Sequence, residues 1–137
     1  MTLEPRWLSK KVALAIHEKL LAQHGGKPGI INEGLLDAAM VAPRNHFAYE
    51  RAPLFRLAAI YAHGLTQNHP FVDGNKRVAL TVAGVFLEKN GLRLDAPESD
   101  AFAAMDALSS GQLSRDDFEG WLRSSCSPIR QVGGTPR

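Results

Sequence analysis

The chain has 137 residues, 22% of them charged and 45% hydrophobic, with a formal net charge of +2; this is the profile of one globular domain that buries a core without disulfide or metal staples. Its cations are scattered from Arg6 to Arg137, with no run beyond pairs such as Lys10-Lys11 and Lys76-Arg77, so direct nucleic-acid binding is not expected. The single cysteine, Cys126, excludes an intramolecular disulfide and a cysteine-cluster metal site, and the lack of an apolar signal core or of a membrane-length apolar run (roughly 18 residues) points to a cytoplasmic protein without membrane contact.

Ser9 reads as an N-cap for a helix with Val12, Ala13, Ile16, Leu20 and Leu21 at helical spacing, stopped by Gly25-Gly26. Asn32 caps a second, short helix carrying Leu35, Leu36, Ala39 and Met40, which is expected to end before Pro43. From Pro43 to Pro53 no period is found, so an irregular loop or hairpin is predicted, with Phe47 and Tyr49 among polar residues. The next two helices, Leu54 to Leu65 and Val78 to Leu87, are apolar on almost every face and therefore central. Lys89-Asn90-Gly91 ends the second of them. A helix from Pro97 to Leu108, capped by Asp95, and another from Ser114, whose Ser-x-x-Asp opening resembles a capping box, complete the domain. No strand pattern or repeat is found. The fold class is thus all-α, a compact single-domain bundle of about six helices over residues 1 to 124, with residues 125 to 137 expected to be a disordered tail.

Chemistry concentrates in one stretch, His69-Pro70-Phe71-Val72-Asp73-Gly74-Asn75-Lys76-Arg77. Gly74, Asn75, Lys76 and Arg77 open a helix, so unpaired backbone N–H groups and the positive end of the macrodipole make an anion hole there. Gly74 lets a phosphate approach the backbone, and Lys76 and Arg77 add charge. The implied ligand is a nucleotide. Asp73 is placed to hold magnesium together with phosphate oxygens. His69 is the candidate general base for an attacking hydroxyl. Phe71 is read as a plug that anchors the loop to the core.

Each residue also has a plainer role: Asp73 as a helix cap, Lys76 and Arg77 as a solvated first turn, His69 as a loop residue. A metal hydrolase built on His63, His69 and Asp73 is disfavoured, because Pro70 and Gly74 disturb the spacing of a shared helix face. His63 fits a core or helix-surface residue better. His24 suits a helix C-terminus, and His17 and His46 have no partner pattern.

The nine residues resemble the signature of the Fic/Doc (Fido) superfamily, HxFx(D/E)GN(G/K)R. Flanking segments resemble the death-on-curing toxins of type II toxin-antitoxin systems, notably Gly25-Gly26-Lys27-Pro28-Gly29-Ile30, Asn32-Glu33-Gly34-Leu35-Leu36-Asp37, Phe47-Ala48-Tyr49-Glu50 and Phe86-Leu87-Glu88-Lys89-Asn90-Gly91. The resemblance spans residues 4 to 124. It implies the Fido fold, with His69 as general base, Asp73 as magnesium ligand, Gly74 and Asn75 in the phosphate cradle, and Lys76 and Arg77 as phosphate-contacting cations.

Departures from the signature separate reaction types. Adenylylating members have a second glycine where this chain has Lys76 and a second arginine where it has Leu80. This resembles Doc, a kinase that transfers the γ-phosphate of ATP to a threonine of elongation factor Tu and arrests translation. Gly74, where Doc has alanine, departs toward Fic. AMP transfer to a protein hydroxyl is the alternative, and a non-catalytic nucleotide- or partner-binding helical module the second. The self-inhibitory Ser/Thr-x-x-x-Glu-Gly/Asn element of some Fic proteins is absent: Glu33-Gly34 and Glu119-Gly120 follow Gly29 and Arg115 at the hydroxyl position. The resemblance therefore implies inhibition in trans by a Phd-type antitoxin that folds onto the toxin. It also implies that the Pro43 to Pro53 loop, with Phe47 and Tyr49, is a flap that docks the target by strand addition; the alternative is that both aromatics pack on the core.

Overall fold

The computed structural model describes residues 3–129. Its elements run α1 (Lys10–His24), α2 (Glu33–Glu50), α3 (Leu54–Asn68), α4 (Asn75–Lys89), β1 (Leu92–Leu94), α5 (Glu98–Ser110), α6 (Arg115–Ser125) and β2 (Cys126–Pro128). The bundle is all-α in architecture, with α3 at its centre against α2, α4 and α6. α3 buries Leu57 to Ala62 without interruption, as its all-round apolar sequence requires. Gly64 faces Ala39, where an added Cβ would stand 3.4 Å from the alanine Cβ, so α2 and α3 approach closely. An aromatic series, Phe47, Trp7, Phe86 and Tyr61, runs through the other end of the core.

Three caps are where the sequence places them: the side chains of Ser9, Asn32 and Ser114 accept from the backbone N–H groups of Val12, Leu35 and Asp117. Three expectations are corrected. α2 does not stop before Pro43 but runs through it to Glu50, so most of the expected irregular flap is helix. A mid-helix proline costs about 3 kcal/mol; burial of Phe47, at 4% exposure, offsets about 1.5–3 kcal/mol of this, and burial of Pro43 itself adds to it. Pro97, not Asp95, precedes α5, without a side-chain cap; the Asp95 N–H donates to the Ser125 carbonyl instead. Cys126–Pro128 pairs antiparallel with Leu92–Leu94, so ordered structure continues past residue 125. The expected tail at residues 130–137 lies outside the described residues.

Candidate active site

α3 ends at Asn68, whose side-chain amide donates to the Leu35 carbonyl at 3.0 Å and ties this end of α3 to the start of α2. His69 follows in the left-handed region, φ 49°, a conformation that disfavours most L-residues by about 1–2 kcal/mol. The chain reverses there, leaving the His69 ring exposed at a cleft of about 520 Å³. Phe71 then enters the core with no exposed surface. Its plug role is reinforced by Asn75, whose side chain accepts from the Phe71 N–H (3.0 Å) and donates to the Phe71 carbonyl (2.9 Å). The Asn75 amide is thereby committed to the loop, and what Asn75 presents at the start of α4 is its backbone N–H.

The N–H groups of Asn75, Lys76 and Arg77 have no protein acceptor among the described residues, as the first turn of a helix dictates. They stand at the positive end of α4, beside Gly74 at φ 84°. Asp73 lies just before them, exposed, its Oδ1 accepting from the Gly74 N–H (2.9 Å) and its Oδ2 from the Lys27 N–H (3.2 Å). Each oxygen keeps a lone pair, so the carboxylate suits magnesium, which takes one or two carboxylates along with phosphate oxygens. Gly26 makes this arrangement possible: at φ 120°, a Cβ there would lie 3.0 Å from Asp73 Oδ2.

His69, Asp73, Gly74, Asn75, Lys76 and Arg77 all line the same cleft. The opposite wall is α5, which contributes Phe102, Met105, Asp106 and Ser109 at the spacing of one helix face. Lys76 Nζ lies 2.8 Å from Asp106 Oδ1, and the Arg77 guanidinium lies 5.8 Å from the Phe102 ring centre. Both motif cations therefore lean toward α5. Leu80, also in the cleft wall, places no third cation there.

Phe47 and Tyr49 are not part of this cleft. Phe47 is buried beside Trp7, whereas Tyr49 is 94% exposed, about 20 Å along α2 from Leu35 at the site end, at 1.5 Å per residue. The segment that flanks the motif is instead Gly25–Asn32: Ile30 bridges Phe71, and the Ile31 and Val72 N–H groups donate to the Pro70 and Gly29 carbonyls. His63 is half-buried in α3, and burial pushes its imidazole below the ordinary range. No group of three or more His, Cys, Asp or Glu side chains able to hold a metal occurs among the described residues.

Sequence reasoning missed His17, Lys27, Phe102 and Asp106. Their approach to the motif spans sequence separations from 25 to 56 residues, which no local spacing rule reports. The signal for Lys27 was Gly25-Gly26, which reads locally as a helix stop and otherwise only as part of a segment resembling the toxin family.

A family model described as Fic/DOC family matches residues 7–87. The chain is 35% identical over 95 residues to "Protein kinase doc" of Escherichia phage P1, covering 68% of this chain and 75% of that protein. It is 40% identical over 88 residues to "Toxin Doc" of Mycolicibacterium smegmatis (strain ATCC 700084 / mc(2)155), covering 61% and 65% respectively. The family match includes the complete His69 to Arg77 motif, and the chain belongs to the Fic/DOC family.

Proposed function

We propose that the protein is a Doc-like toxin that transfers the γ-phosphate of ATP to a Ser or Thr hydroxyl of a translation protein, with elongation factor Tu as the expected target. The observation that carries this reading is the convergence of His69, Asp73 and the amide end of α4 on one cleft. The target hydroxyl oxygen attacks the γ-phosphorus, its proton passes to His69, and the bond from the γ-phosphorus to the β,γ-bridging oxygen breaks, releasing ADP. The N–H groups of Asn75, Lys76 and Arg77 and the two side-chain cations bind the phosphates. Magnesium, when bound, would be held by Asp73 and phosphate oxygens and would supply charge neutralisation.

Lys76 in place of a second motif glycine, and Leu80 in place of a second arginine, favour γ- over α-phosphate transfer. Target docking by strand addition fits Gly29–Ile31, where Ile30 and Ile31 are exposed next to Phe71 and Val72. Ile31→Asp is expected to lower target modification at least tenfold while leaving ATP affinity unchanged. Inhibition is assigned to a Phd-type antitoxin. The functional test is expression in a bacterial host: growth arrest by the wild type, none with His69→Ala, and relief by co-expressed antitoxin. Equal arrest by the His69→Ala protein would favour the binding-module reading, since losing a general base costs about 10²–10⁴ in rate.

A further inference from the structure

His17 lies on α1, far from the motif in sequence, yet it is 6% exposed and packs against that motif. Its ring stacks on Phe71, with centroids 3.9 Å apart and planes 14° from parallel. Its Nε2 lies 2.9 Å from the carbonyl oxygen of Asp73. A carbonyl oxygen only accepts, so Nε2 carries a proton and donates. The neutral Nε2–H tautomer and the imidazolium both satisfy this bond.

We propose that His17 is a positioning residue that fixes the direction of the Asp73–Gly74 peptide, and through it the Asp73 carboxylate at the head of α4; its functional part rests on the phosphotransfer reading above. A trans peptide is planar, so its C=O and N–H point in opposite directions. With the Asp73 carbonyl anchored to α1, the Gly74 N–H faces the other way, where it donates to Asp73 Oδ1. Gly74, at φ 84° and ψ 12°, has the angles of the third residue in a type II turn, and the type I alternative differs mainly by turning this one peptide over. Glycine accepts either arrangement. The local sequence therefore leaves the direction open, and His17 selects it. A reversed peptide would release one of the two backbone donors that hold the Asp73 carboxylate, leaving only the Lys27 N–H.

The test compares His17→Phe, which keeps the stacked ring and removes the donor, with His17→Gln, whose amide N–H has similar reach. Amide exchange at Gly74 is measured in the free protein, and the Kd for ATP is measured with magnesium. In His17→Phe the exchange rate and the Kd are each expected to rise about fivefold to tenfold, the loss of one hydrogen bond of about 1–1.4 kcal/mol. In His17→Gln both are expected to return to within about threefold of wild type. Wild-type values of either quantity in His17→Phe overturn the proposal. Ring nitrogen NMR on the unaltered protein decides the matter even if a variant fails to fold: a proton on Nε2 in the neutral ring supports the anchor, and a neutral Nδ1–H tautomer overturns it. Exchange that changes as expected in a protein that binds no ATP would overturn the phosphotransfer reading while supporting the His17 anchor.

Discussion

Asn75 satisfies both backbone groups of Phe71 from a position that is 6% exposed. Asn75→Leu leaves a buried N–H and a buried C=O unpaired, at about 1–3 kcal/mol each, so urea unfolding is expected to show a loss of about 2–6 kcal/mol together with loss of activity. Gly26→Ala acts differently. Its Cβ meets the Asp73 carboxylate at 3.0 Å and its φ of 120° suits glycine alone, so ATP affinity with magnesium is expected to fall at least tenfold, read by titration calorimetry. At this scale the motif was legible because His69 to Arg77 is contiguous and a helix opening converts sequence order into a shared amide end. His17 was not legible: a lone histidine on an amphipathic helix carries no mark of the carbonyl it meets 56 residues later.

α2 separates what local rules reach from what packing decides. Its start follows from Asn32, whose side chain accepts from the Leu35 N–H, a local event. Its end does not follow from Pro43, because the energy that carries the helix onward lies in the contact of Phe47 with Trp7, 40 residues earlier in the chain. Phe47→Ala is accordingly expected to destabilise the fold by about 3–5 kcal/mol. Tyr49→Ala, at the exposed far end of α2, is expected to change neither melting temperature nor target modification; a selective loss of modification would restore the docking role expected from sequence. The β1–β2 pair was missed for a related reason, since three-residue strands offer too few positions for an alternating pattern to emerge.

Across the whole molecule, the cleft joins a motif inside the family match at residues 7–87 to a wall, α5, that lies beyond it. The Lys76–Asp106 pair is exposed on both sides, so it adds little stability, and its sequence signature is indistinguishable from a solvated helix face. Stability should also respond to pH through His63, half-buried in α3 and not itself a lining residue of the cleft. Burial, with Arg115 nearby, holds its folded-state pKa below the ordinary value of 6.5. The unfolded chain then binds a proton that the folded one does not, so the stabilisation is present above the ordinary value and is lost as pH falls through the depressed one. Melting temperature measured from pH 8 to 5 is expected to fall less in His63→Gln than in the wild type.

The central claim is γ-phosphoryl transfer directed by His69. Its most direct measurement is incubation of the purified protein with elongation factor Tu, magnesium and ATP labelled at either the α- or the γ-phosphorus, with His69→Ala in parallel. Label on the target from γ alone, lost in the variant, is the expected result. Label from α would make the protein an AMP transferase despite Lys76 and Leu80, and γ-label undiminished in His69→Ala would remove His69 from the chemistry.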